Sequence, residues 1–408
     1  MVRKAVTAAV APLIVLFLLV SFAPAESAAP KVDNNDLSFY QPPTTTAPYP
    51  LSGGKQVRNV ILCIGDGMGL NQITLASMKV AGLGGRLSIE RMPVTGWVRT
   101  YSANSRVTDS AAAGTALACG IKTKNGMIGV APDEESYETI LEAAKAKGMM
   151  TGLVATSTIT HATPASFASH VSARSSEAAI AEQLIANRVN VLFGGGRKYF
   201  LPKSDPNTGR KDDRDLIAEA RQAGYTVVTT DRELHAVRCP SVLGLFANDS
   251  LTTIAPEPSL AAMTRKAIQV LANVKSPAFG RRTGFFLMVE GSQIDWACTD
   301  NEIKRSIRQT LLFDQAVQAA VDFALRDRHT LVIVTADHET GGLTYMEGPK
   351  TNPDLVVRWS VKGHTGSPVP IGAMGPGAAA FAGLQDNTDI PKKIAKLLKI
   401  TPLPRPVD

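Results

Sequence analysis

Short apolar runs of strand-forming residues alternate along this chain with amphipathic segments of helical period, and that alternation limits the fold more than any other feature. VRNVILCI is followed by a helix expected after Asp109, MMTGLVATS by RSSEAAIAEQLIANR, VNVLFGGG by DDRDLIAEARQAG, and FFLMVE by NEIKRSIRQTLLFDQAVQAAVDFAL; TLVIVT closes the series. Strands joined through helices pair in parallel, and a parallel sheet needs cover on both faces. The expected class is therefore α/β, a large and mainly parallel central sheet sandwiched by helices. No internal repeat or second composition regime divides the chain, so one domain is expected over 57–408.

The amino terminus reads differently. Arg3 and Lys4 precede an apolar run from Ala8 to Phe22, and Ala23-Pro24-Ala25 follows, which predicts a secretory signal cut after Ala25. An uncleaved anchor is the alternative, because the run is only slightly shorter than the about 20 residues that span a bilayer. Residues 26–56, with QPPTTTAPYPLSGG, predict a Pro/Thr-rich lead-in that is extended or mobile, with folding proper starting near Val57. A periplasmic or secreted protein with no membrane span after signal removal is expected.

Losing Arg3 and Lys4 lowers the formal charge from +7 to +5, and the remaining Lys and Arg are dispersed, so a nucleic-acid partner is not indicated. Cys63, Cys119, Cys239 and Cys298 lack zinc-finger spacing, and both disulfide pairing and free thiols stay open.

The strand ends carry the chemical signal. VILCIGDGMG ends in Asp66 between glycines, FFLMVEGSQID ends in Glu290 with Asp295 five residues on, and TLVIVTADHETGG ends in Asp337 and His338. Parallel strands bring such ends to one edge, where open α/β sheets bind ligands. Carboxylates gathered there repel one another unless cations neutralise them, so a site for several metal ions is expected. A single acid after a strand is most often a helix cap or a solvated turn; three in the same context weaken that reading. In RVTDSAAAGTALACG, Ser110 stands at the start of an Ala-rich helix, where the dipole favours an alkoxide and bound anions. It has no Ser-His-Asp context nearby in sequence, which leaves a metal as the means of lowering its pKa.

IGDGMG, TDSAAAGTALACGIKTKNG, THATPASFASHVSAR, VEGSQIDW, VTADHETGG and GHTGSPVPIGAMGPGA, in this order, closely resemble the alkaline phosphatase family. The resemblance implies hydrolysis of phosphate monoesters to alcohol and inorganic phosphate through a phosphoserine, with two zinc ions and one magnesium. It casts Ser110 as nucleophile, Arg174 as the phosphate clamp, and Asp66, Asp337 and His338 as ligands of the zinc that activates Ser110. Thr163 and Glu290 join Asp66 at the third metal; His161, where some members have Asp, is counted with that site, and Trp296 stands where others have Lys or His.

The second zinc is implied to take Asp295, His364 and a histidine at position 299, but this chain has Thr299 there. Three readings stay open: a weak site completed by water, substitution by Cys298 or Asp300, or impaired catalysis. His170, His235 and His329 match no ligand position. The competing functions are a phosphodiesterase of the same superfamily and a noncatalytic metal or phosphate binder. The short segment between Gly342 and His364 leaves little room for the crown that some members use in dimers; a homodimer is implied by resemblance alone.

Overall fold

Five strands expected from the sequence lie side by side in the middle of one ten-stranded sheet. The computed structural model describes residues 32–51, 56–274, 284–346 and 356–407. The signal segment 1–25, part of the lead-in and part of the short crown segment lie outside the described residues. In chain order the strands are β1 (Asn59–Gly65), β2 (Val94–Arg99), β3 (Met150–Thr158), β4 (Val191–Gly195), β5 (Thr226–Val228), β6 (Val242–Leu245), β7 (Phe285–Gly291) and β8 (Thr330–Thr335). Four two-residue strands follow, β9 (Glu339–Thr340), β10 (Thr344–Tyr345), β11 (Val357–Arg358) and β12 (His364–Thr365), then β13 (Val369–Met374) and β14 (Gly383–Asp386).

The large sheet runs β14-β2-β13-β8-β1-β7-β3-β4-β6-β5. Pairing is parallel from β8 across to β5, and β13 is antiparallel to both β8 and β2. The α/β class and the mainly parallel sheet are thus as expected. Val60, Ile61, Leu62 and Ile64 of β1 are fully buried on both faces, each contributing about 1.5–3 kcal/mol relative to exposure. Ile64 lies level with Glu290 of β7 and with Thr335 of β8, so the three strands end together.

The lead-in departs from its expectation. Tyr40 and Tyr49 are buried, and the Tyr40 hydroxyl donates to Asp314 Oδ2 at 2.6 Å while the Tyr49 hydroxyl donates to Gln318 at 3.0 Å. Both acceptors lie on the 25-residue helix Ile303–Asp327. Folding therefore begins before Val57: the described residues of the segment form no helix or strand, but two aromatic side chains supply apolar area that docks them.

All four cysteines are free thiols. Burial pushes the Cys63 thiol up to about 12, so it packs as a small hydrophobe. Among the described residues no helix is long and apolar enough to cross a membrane.

Candidate active site

Adjacent parallel strands β7, β1 and β8 deliver Glu290, Asp66 and Asp337 to one edge of the sheet. Asp66 sits in a turn that only glycine closes: Gly67 has φ 72°, and a Cβ there would meet Thr340 Oγ1 at 2.7 Å. Asp337 Oδ1 accepts the backbone N–H of Gly67 at 3.1 Å and of His338 at 2.9 Å, which aims Oδ2 inward. His338 Nε2 lies 3.2 Å from Asp337 Oδ2 and 3.4 Å from Asp66 Oδ1.

All four groups are buried. Burial, then the charge of Asp337, holds the Asp66 carboxyl well above its usual range; burial raises Asp337 as well and pushes Glu290 up to about 7. Burial pushes His338 down to about 3, leaving a neutral ring with a free lone pair.

Eleven buried side-chain polar atoms among the described residues have no hydrogen-bond partner, and six of them are here: both oxygens of Asp66, Oδ2 of Asp337, Oε1 of Glu290, Oγ1 of Thr163 and Nδ1 of His161. Orphaned polar atoms are costly, and the five oxygens gathered here point to a cation. Ligand atoms lie within 4.8 Å of one another in three sets: Asp66, Asp337 and His338; Asp66, His161 and Glu290; and Asp295, His338 and His364. Carboxylate and imidazole donors of this kind fit zinc, and the oxygen-rich middle set also fits magnesium.

Ser110 is the first residue of the helix Ser110–Cys119, and Asp109 caps it by accepting from Ala112 N–H at 3.0 Å. Its Oγ lies 3.2 Å from His338 Nε2. The sequence offered no histidine for this serine; the fold brings one from 228 positions away. This is nevertheless not a Ser-His-Asp relay, in which opposite ring nitrogens face serine and acid. Here one nitrogen, Nε2, faces Ser110, Asp66 and Asp337 together, the geometry of donors converging on a cation.

Asp109 also accepts from Arg174 Nη1 at 3.1 Å, and Arg174 Nη2 lies 3.2 Å from His161 Nε2. Guanidinium only donates, so Nε2 accepts and the His161 proton resides on Nδ1. Ligation through Nδ1 would require the other tautomer and the loss of the Arg174 bond. Trp296 sets its ring edgewise against His161 at 6.1 Å.

Asp295 comes from the helix Gln293–Thr299 and His364 from β12, which pairs with β9. His364 Nδ1 donates to Thr108 O at 2.9 Å, leaving Nε2 to face Asp295 Oδ1 at 3.4 Å. The His338 and His364 rings stack at 3.6 Å. Thr299 ends the helix half-buried. Neither candidate substitute joins this group. The Cys298 thiol is buried against Gln72 and Ser306, and burial pushes it up to about 12; Asp300 pairs with Arg305 at 2.9 Å. In this structure both side chains are thus engaged with other partners than Asp295 and His364.

Sequence reasoning missed the supports. Ser292 Oγ donates to Glu290 Oε2 at 2.7 Å, and Gln72 Nε2 donates to Glu339 Oε1 at 3.1 Å. Glu339 also accepts from Thr365 across the β9–β12 pair that presents His364. Isolated hydroxyl and amide residues carry no spacing pattern that would have marked them. His170, His235 and His329 lie apart from the cluster, His170 bonding Gly129 O and Glu142.

The family model described as alkaline phosphatase matches residues 57–358. Alkaline phosphatase 4 of Bacillus subtilis is 36% identical, over 84% of this chain and 89% of that protein. The structure of alkaline phosphatase from the Antarctic bacterium TAB5 superposes with a TM-score of 0.75 at 36% identity, covering 85% of this chain and 99% of that one. A variant of the same enzyme, with a TM-score of 0.74 at 36% identity over the same shares of the two chains, has magnesium bound in its M3 site. With a family match over most of its length and relatives of this identity, the chain belongs to the alkaline phosphatase family of phosphomonoester hydrolases.

Proposed function

We propose that this protein hydrolyses phosphate monoesters through a covalent phosphoserine at Ser110, with divalent cations held in the three ligand sets. The observation that carries the reading is the position of Ser110 Oγ, 3.2 Å from His338 Nε2, where the orphaned oxygens of Asp66 and Asp337 converge. Zinc at Asp66/Asp337/His338 and at Asp295/His364, with magnesium at Asp66/Thr163/Glu290, would supply Lewis-acid charge and lower the pKa of the Ser110 hydroxyl and of water.

The chain's own groups do the rest. Arg174 offers a planar fork to two nonbridging phosphoryl oxygens, and Asp109 holds it in place. The amino end of the helix Ser110–Cys119 adds its dipole to the anionic centre. Ser110 Oγ attacks phosphorus, the ester P–O bond breaks and the alcohol leaves; water then cleaves the Ser110–phosphate bond to release inorganic phosphate. Recognition is directed at the phosphoryl group, so many alcohols are accepted. Export to the periplasm or medium, a single domain with a short crown, and a homodimer belong to the same reading.

Ser110→Ala tests it. Turnover of an aryl phosphate falls more than about a thousandfold, and label from radioactive phosphate no longer attaches to the protein. Covalent label on the alanine variant would overturn the assignment. Comparable rates on aryl phosphate and bis-aryl phosphate would favour a phosphodiesterase instead, because a second ester group competes with the Arg174 fork.

A further inference from the structure

Thr340, which stands two residues after His338 and has no role in the reading above, links two of the ligand sets. Its Oγ1 lies 2.5 Å from Asp295 Oδ1 and 3.2 Å from His338 Nδ1. The side chain is fully buried, so no water competes for either contact.

Proton counting fixes the direction of both bonds. A threonine hydroxyl has a single hydrogen to donate, and Asp295 Oδ1 is the acceptor that faces it at the shorter distance. The hydrogen therefore goes to Asp295. The oxygen can then only accept from the ring, so His338 carries its proton on Nδ1. Nε2 is left with the lone pair, pointed at Ser110 Oγ, Asp66 and Asp337. The same hydroxyl holds Asp295 turned toward His364 Nε2.

The backbone makes this arrangement stiff. Thr340 N–H donates to Gly67 O at 3.1 Å, Thr340 O accepts from Gln72 Nε2 at 2.9 Å, and Thr340 pairs with His364 in the β9–β12 ladder. Thr340 is thus tied to the Asp66 turn, to the helix Leu70–Ala81 that holds Gln72, and to the strand that holds His364.

We infer that Thr340 is a positioning residue that sets the His338 tautomer and couples the Asp66/Asp337/His338 set to the Asp295/His364 set through the chain His338 Nδ1–H to Thr340 O–H to Asp295. This rests on the proposed metal-dependent phosphatase reading for its purpose, but the tautomer itself does not. Where a ligand histidine donates its second nitrogen to such a partner, removing the partner lowers metal affinity about 10- to 100-fold.

The experiment compares the full chain with Thr340→Val, which keeps the shape and loses the hydroxyl, and with Thr340→Ser, which restores it. Zinc affinity is read by chelator competition, and the histidine tautomers by ¹⁵N spectra of the metal-free protein. The expected result is an Nδ1–H tautomer at His338 in the parent, a drop of about 10- to 100-fold in zinc affinity for the valine variant, and return to within a few-fold of the parent for the serine variant. A merely structural role would lower the melting temperature of the valine variant and leave its zinc affinity unchanged, which overturns the inference. So does an Nε2–H tautomer in the parent. If the parent binds no zinc, the metal reading fails, and the metal-free spectra still decide the role of Thr340.

Discussion

The Arg174 guanidinium donates to Nε2 of His161 at 3.2 Å, which fixes the imidazole proton on Nδ1, a buried atom with no hydrogen-bond partner. Burial, with Arg174 adding to it, pushes His161 down to about 3, so the ring stays neutral and can accept from the arginine. The Arg174 guanidinium is therefore held on two sides, by His161 and by Asp109.

Arg174→Lys keeps the charge and loses the fork. The Michaelis constant for an aryl phosphate is expected to rise about 10- to 100-fold, with inorganic phosphate inhibiting more weakly in proportion. Steady-state kinetics with product inhibition check this, and unchanged phosphate inhibition would remove Arg174 from the phosphate site.

Thr299→His places imidazole where the third set has only Asp295, His364 and the shared His338. Zinc retained per chain after gel filtration is expected to rise, with a faster turnover at limiting zinc. Equal metal content and equal rate in parent and variant would show that Thr299 leaves no deficiency.

The metal-free protein should lose stability as pH rises. Burial raises the folded-state pKa of Glu290 from 4.5 to about 7, and Asp66 and Asp337 shift the same way. A carboxyl with a raised folded-state pKa contributes its stability below the unfolded value and loses it as pH climbs through the folded one. Melting temperature after chelation is thus expected to fall between pH 4.5 and about 7, and added zinc and magnesium to lift it most at the upper end. A flat profile without metal would contradict the burial of these acids.

Tyr40→Phe removes the hydroxyl that donates to Asp314, a buried carboxylate that also accepts from the N–H groups of Ser88 and Ile89 at 3.0 and 2.9 Å. Denaturant unfolding should show a loss of about 1–3 kcal/mol, while kcat/KM stays at the parent value. No change in stability would mean that the lead-in does not brace the fold.

How much of this was readable before folding follows from burial. Strands β8, β1, β7, β3 and β4 sit in the middle of the sheet with both faces covered, so their sequences are continuous apolar runs and each was legible. The outer strands were not. Gly96 interrupts β2 and Pro370 follows the first residue of β13, while β5 has only three residues and half of β14 is exposed. Asp66, Glu290, Asp337 and His338 were legible because each ends an apolar run. Tyr40 with Asp314 and Thr340 with Asp295 were not: a hydrogen bond across 274 or 45 positions leaves no periodicity in the chain.

The place of β1 in the sheet also dictates when the protein can work. Its first residues pair with Phe286 and Leu331, more than two hundred positions downstream, so β1 has neither neighbour until that chain exists. A nascent chain that stops before Thr335 owns Asp66 and Glu290 but neither Asp337 nor His338. Such a chain carries half the pocket, and the cluster of acids and imidazole can assemble only once nearly the whole chain is present.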